Sequence, residues 1–357
     1  MASLLHWSAF LITVLVRHGS TVSGFCTTPQ QRYAMFQNLA SCFHKGILWQ
    51  CLREMANAPP CPEPFTPVSK WDAVKNHPAW RILSNYDCGD SAADRIIGGF
   101  DAALGQFPWI VRLGYISQED NETDFKCGAA LLTDRHVVTA AHCLTNKDEE
   151  SQLTSVRLGE HDIRTNPDCQ LRVCAPKVQD RNIKISKRHP QFDKPPFHND
   201  IAILELEFPV EINNYVTPIC LPREEQIKDR FQQGELLTVA GWGTTNMSTE
   251  ERADILQYVG LPVVKPEACN TFQTFGWGFN VTESEICAGT EHNKDACKGD
   301  SGGPLMKIYD TPDGPKHFIV GVVSFGPTLC GNKKPGVYAS VGYFLKWILD
   351  NIAKFEH

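Results

Sequence analysis

Three short motifs carry side chains able to break an amide bond. Thr139-Ala140-Ala141-His142-Cys143 ends one apolar run, and His198-Asn199-Asp200-Ile201-Ala202 opens another. Lys298-Gly299-Asp300-Ser301-Gly302-Gly303-Pro304 surrounds a serine with glycines. A serine hydroxyl is a poor nucleophile near neutral pH and needs a base within hydrogen-bond reach. His142 would take the Ser301 proton and later return it to a leaving amine. Asp200 would hold the imidazole in one tautomer and stabilise its cation. Gly299 has no side chain, so its N–H can approach a substrate carbonyl. With the N–H of Ser301 it would form a hole for the tetrahedral oxyanion. Each residue alone is commonplace: a lone histidine is usually structural, and an aspartate before an apolar run is usually a turn or cap residue. The combination, in this order and beside cysteines, is far more specific.

The elements that must position these residues read as strands. From Ile96 onward, short apolar runs recur between turn signals: Trp109–Leu113, Ala129–Leu132, Val137–Ala141, Ile201–Leu206, Leu236–Ala240, Phe318–Val323 and Gly336–Ala339. Such spacing predicts an all-β sandwich or barrel. Over Val341–Ile352, Phe344, Leu345, Ile348 and Ile352 fall at helical intervals, which predicts a terminal helix. Residues 25–95 differ in texture. They hold five cysteines (Cys26, Cys42, Cys51, Cys61, Cys88) and a run of prolines from Pro59 to Pro67 that reads as loop or linker. So short a segment buries little core and leans on disulfides.

Composition narrows the class further. The chain has 357 residues and a net charge of −7 with no long basic run, which argues against a nucleic-acid partner. Ala9–Val16 forms a short apolar core broken by Arg17 and His18, with small residues at Val22, Ser23 and Gly24, so residues 1–24 read as a secretory signal. No later stretch is apolar for the ~20 residues a membrane span needs, so a soluble, secreted protein is expected. The fourteen cysteines point to an oxidising compartment. Three N-x-S/T sequons, at Asn121, Asn246 and Asn280, fit secretion and glycosylation. Five cysteines precede Ile96 and nine follow it; both counts are odd. One bridge between the segments would let every cysteine pair. A free thiol in each segment, or an intermolecular bridge, is the alternative.

The order His, Asp, Ser, with the flanking motifs, resembles the chymotrypsin-like serine peptidases over residues 96–357. Arg95-Ile96-Ile97-Gly98-Gly99 looks like their activation junction, and Gln106-Phe107-Pro108-Trp109, Gly241-Trp242-Gly243 and Pro335-Gly336-Val337-Tyr338 also match. The resemblance implies two six-stranded antiparallel β-barrels with the site in the cleft between them. It also implies bridges Cys88–Cys220, Cys127–Cys143, Cys269–Cys287 and Cys297–Cys330, leaving Cys169 and Cys174 to pair locally. The segment before the junction resembles the clip domain of arthropod clip-domain proteases through Cys26-Thr27-Thr28-Pro29 and Cys88-Gly89, and within the peptidase region the insertion from Asp168-Cys169 to Cys174-Ala175-Pro176 fits the same proteases. Clip domains usually hold six cysteines; here four remain once Cys88 is assigned, a divergent version. The expected organisation is a signal peptide over 1–24, a clip-like domain over 25–62, a linker and activation segment over 63–95 and a peptidase domain over 96–357.

The resemblance also implies specificity and control. Asp295, six residues before Ser301, matches the base of the primary pocket, where a carboxylate pairs with a substrate Arg or Lys. Gly326 and Gly336 match the pocket-wall glycines. Ala296 stands where relatives often have Ser. Without that hydroxyl, a guanidinium forking onto Asp295 should gain relative to an ammonium. Cleavage after Arg95 would free the Ile96 ammonium to pair with Asp300 and order the site, so the uncut chain should be nearly inactive. Glu160, Asp162, Asp168 and Asp180 offer hard oxygens that could hold Ca2+ in a loop where several relatives bind it; no other cofactor is expected. The implied partners are zymogens or a cytokine precursor as substrates, an upstream activating protease and serpin inhibitors. Two other readings remain at this stage: a digestive or venom trypsin, which the long cysteine-bearing N-terminal segment argues against, and a non-catalytic relative acting as a binding cofactor, which the three intact catalytic residues argue against.

Overall fold

The structure, a computed structural model, describes residues 70–91, 101–145, 151–229, 231–246, 251–270, 279–289, 299–326 and 334–354. All belong to the unit Ser69–His357. The signal and clip-like segments, the Arg95–Ile96 junction, Asp295, Ala296 and the Cys297–Cys330 pair lie outside the described residues.

Six strands close the first half into a barrel: β1 (Ile110–Ser117), β2 (Thr123–Leu131), β3 (His136–Thr139), β4 (Ser151–Leu158), β5 (Gln179–Arg188) and β6 (Ala202–Leu206). They pair antiparallel in the order β1-β2-β3-β6-β5-β4, and β4 returns to β1. The second half holds β7 (Leu236–Gly241), β8 (Gln257–Pro262), β9 (Glu285–Ala288), β10 (Pro304–Thr311), β11 (Gly314–Phe325) and β12 (Gly336–Ser340), in the order β8-β7-β10-β11-β12-β9. This second sheet is not closed by a full ladder. Its edges meet only through the isolated bridge Val263↔Ala288 and flanking bonds such as Val264 N–H to Cys287 O (3.0 Å). Of the two six-stranded antiparallel barrels expected, the first is a closed barrel and the second a six-stranded sheet whose edges meet through that bridge.

Seven strands coincide with the apolar runs of the sequence; β4, β5, β8, β9 and β10 do not. In β5 inward and outward positions alternate along the strand, so Ile183 and Ile185 stand among Arg181, Asn182, Lys184 and Lys187 and no continuous apolar run arises. The C-terminal helix runs Val341–Lys354 and buries Val341, Phe344, Leu345, Ile348, Leu349 and Ile352 on one stripe. Trp109, fully buried, joins the halves by donating from Nε1 to Met306 Sδ (3.0 Å).

Residues 70–91, expected as linker, pack on the peptidase body. A short helix, Ala79–Leu83, buries Ala79 and Trp80. Trp80 Nε1 donates to Val74 O (2.7 Å), and the Arg223 guanidinium lies 4.5 Å above the indole. His77 Nε2 reaches Asp350 on the C-terminal helix (3.1 Å), and Tyr86 donates to Asp134 (2.7 Å). Cys88 is bonded to Cys220 with Cα atoms 4.9 Å apart. Gly89, at φ +72°, threads against His317, where a Cβ would strike backbone. The physical reason is burial: an indole and a valine here cover apolar surface that a free linker would leave wet.

Candidate active site

Strand register brings the catalytic candidates together. β3 and β6 are antiparallel neighbours with Thr139 opposite Ala202. The chain leaving β3 and the chain entering β6 therefore emerge at the same end. His142, in the 3-10 turn Ala141–Leu144, comes to face Asp200. Its Nδ1–H donates to Asp200 Oδ2 (2.7 Å) and its backbone N–H donates to Oδ1 (2.8 Å). Ser324, on β11, donates its hydroxyl to the same Oδ2 (2.5 Å). Asp200 is buried, and burial alone would raise its pKa. The charge of His142, the hydrogen bonds from His142 and the Ser324 hydroxyl outweigh that effect and hold the carboxyl below its ordinary value.

The segment Gly299–Gly303 is fixed between the halves. Ser301 O accepts from Gly128 N–H on β2 (2.7 Å), and Gly302 N–H donates to Val323 O on β11 (2.8 Å). Gly302, at φ +80°, sits so close to Thr139 and Gly128 O that a Cβ would collide with both. Among the described residues, neither Gly299 N–H nor Ser301 N–H is engaged within the protein, and Ser301 Oγ makes no hydrogen bond to His142. His142 Nε2 instead lies 3.7 Å from Cys143 Sγ. The structure thus joins His142 to Asp200 directly and places Ser301 beside them without a serine–histidine bond; such bonds are often long without substrate.

The Asp300 carboxylate lies against the Gly241-Trp242-Gly243 motif, and its Oδ1 accepts from Gly243 N–H (2.9 Å). A side chain at either glycine would run into this carboxylate. Gly326 and Gly336 lie side by side: a Cβ on Gly326 would stand 3.8 Å from Gly336 Cα.

The carboxylates expected to hold calcium meet the following partners within the protein. Asp180 is engaged by Arg157 through two bonds (2.8 and 2.9 Å), and Asp162 likewise by Arg164 (2.8 and 2.7 Å). Glu160, with a pKa raised chiefly by burial, faces Arg157 (3.5 Å) and Arg112 (3.8 Å). Asp168, buried, accepts from the N–H groups of His161 and Asp162 and from the Thr165 hydroxyl. Each of the four carboxylates has cationic or N–H partners within the protein.

Three further bridges are formed: Cys127–Cys143, Cys169–Cys174 and Cys269–Cys287. No described cysteine is free. Among the sequons, Asn121 is exposed at the turn between β1 and β2, Asn280 is exposed, and Asn246 ends the short strand Thr244–Asn246.

Two groups beside the site escaped the sequence reading. Ser324 has a faint signal, as it lies two residues before the pocket-wall glycine Gly326. The buried pair His198–Glu285 has none, because 86 residues separate its members.

Residues 96–348 match the trypsin family model. Phenoloxidase-activating factor 1 of Holotrichia diomphalia is 41% identical over 282 residues, 76% of this chain and 73% of that protein. Phenoloxidase-activating factor 3 of the same species is 38% identical over 343 residues, 92% and 93% of the two chains. The crystal structure of the Drosophila Grass clip serine protease of the Toll pathway superposes with a TM-score of 0.66 at 32% identity, covering 76% of this chain and 78% of that one. With an aspartate-bound histidine beside a glycine-flanked serine, and relatives of this similarity, the chain belongs to the trypsin family and is a trypsin-like serine protease related to the insect clip-domain proteases.

Proposed function

We propose that the chain is a secreted zymogen, cut after Arg95, that hydrolyses peptide bonds after Arg and, less well, Lys. The observation that carries this reading is the anchored His142–Asp200 pair, with Ser324 fixing the carboxylate. In this mechanism His142 Nε2 takes the Ser301 proton as Oγ attacks the scissile carbonyl. The oxyanion is held by the N–H groups of Gly299 and Ser301. His142 then protonates the leaving amine, and water hydrolyses the acyl-enzyme by the reverse proton route. Asp295, with Ala296 beside it, selects a guanidinium between Gly326 and Gly336. The freed Ile96 ammonium pairs with Asp300, whose carboxylate already lies against Gly243.

The substrate class is a downstream zymogen or cytokine precursor in an arthropod melanisation or Toll cascade, with an upstream protease as activator and serpins as inhibitors. Similarity to proteins called phenoloxidase-activating factor, melanization protease and Spaetzle-processing enzyme supports this. The test is hydrolysis of an Arg chromogenic peptide, and labelling by a fluorophosphonate, before and after cleavage at Arg95. Labelling should appear only after cleavage and vanish in Ser301→Ala. Turnover by Ser301→Ala equal to wild type would sink the assignment; no labelling of cleaved wild type would favour a non-catalytic cofactor.

A further inference from the structure

A cleft beside Gly299 carries positive charge that the proposed mechanism does not use. It is lined by Phe125 and Cys127 from the first half and by Gly299, Asp300 and Arg252 from the second, with Arg112 at its wall. Arg252, exposed on the short strand Glu251–Arg252, is held in place because its Nη1 donates to Phe125 O (3.1 Å). No carboxylate pairs with it among the described residues. A Cβ on Gly299 would stand 3.8 Å from Arg252 Nε, so the guanidinium sits against the proposed oxyanion donor. Arg112 stacks on the Phe125 and Trp242 rings (4.4 and 5.3 Å) and approaches Glu160 only at 3.8 Å. Asp300 is the carboxylate in the cleft, but it already accepts from Gly243 N–H and, in the activated enzyme, would hold the Ile96 ammonium.

Neither Gly326 nor Gly336, which would receive the side chain before the scissile bond, lines this cleft. A substrate running past Ser301 and Gly299 therefore meets Arg252 with the residues that follow the bond. We propose that Arg252, backed by Arg112, forms an acid-selecting subsite for Glu or Asp within the first two residues of the leaving segment. This rests on the protease reading above. A fixed guanidinium with free N–H groups matches a carboxylate fork and repels a cation.

The experiment uses the full chain cleaved at Arg95 and quenched fluorescent peptides sharing one acyl half that ends in Arg. The first or second residue after the bond is Glu, Gln or Lys. Wild type should show a Glu-to-Lys ratio in kcat/KM of about five- to tenfold at low salt, shrinking as NaCl rises. Arg252→Gln should bring the ratio near one, while Arg252→Lys should keep part of it. A wild-type ratio below about twofold, or one retained in Arg252→Gln, overturns the subsite. An arginine anilide, which has no residue after the bond, separates the two readings. Failure to cleave it overturns the protease reading as well, whereas normal anilide turnover with a flat peptide ratio overturns the subsite alone.

Discussion

His198 Nδ1 lies 2.9 Å from Glu285 Oε1, so a buried imidazole and a buried carboxylate tie the loop carrying Asp200 to β9 of the second half. Glu285 also accepts from Ser284 Oγ (2.6 Å) and from the N–H and hydroxyl of Thr282 (both 2.9 Å), and the His198 ring packs on Phe279 at 4.8 Å. Removing one member leaves the other buried without its partner. Glu285→Ala should cost about 3 kcal/mol in urea unfolding, and the double change His198→Leu/Glu285→Leu should cost less than the single one. A Glu285→Ala protein as stable as wild type would show that the pair is not the tie the geometry suggests.

Ser324 should matter to both rate and acid stability. Asp200 titrates below its ordinary value, so its contribution is present above the unfolded value of about 4 and is lost as pH falls through the lower folded value. Ser324→Ala removes one of the bonds that lower it. Acid unfolding should then begin at higher pH, and kcat on an Arg peptide should drop about tenfold. Circular dichroism across an acid titration, beside steady-state kinetics, checks both; an unmoved acid limb would discount the bond.

The pocket reading predicts the order Arg, then Lys, with Phe far behind, in kcat/KM on matched peptides. Asp295→Ser should lower the rate with Arg by at least about a hundredfold, because the substrate charge would then be buried alone. Equal rates with Phe would refute the pocket; equal rates with Arg and Lys would remove only the role given to Ala296.

Cleavage at Arg95 should not release the N-terminal segment. Cys88–Cys220 crosses the cut, and residues 70–91 add the buried Trp80 and the Tyr86–Asp134 bond. Electrophoresis of cleaved protein should give one band without reductant and two with it. On native gel filtration under mild reductant the two chains should still co-elute. Trp80→Ala should weaken that residual association, at a cost of about 3 kcal/mol. Two bands without reductant would dispose of the bridge across the cut.

The sequence by itself determined the enzyme class and much of the frame. His142, Asp200 and Ser301 stand out in it because each lies in a short motif. The terminal helix was legible from one apolar stripe, and the odd cysteine counts on either side of Ile96 already called for a crossing bridge. Tertiary structure decided what depends on partners distant in the chain. Charged strands such as β5 owe their place to the ladder they complete. Trp80 turns an apparent linker into part of the body. Asp162 and Asp180 meet Arg164 and Arg157, neighbours that the fold brings within reach of their charge. Ser324, Glu285 and Arg252 gain meaning only once β11, β9 and the strand Glu251–Arg252 are folded against the catalytic loops. A residue type and local spacing can specify a chemical group; only the packing of the two halves specifies what that group faces.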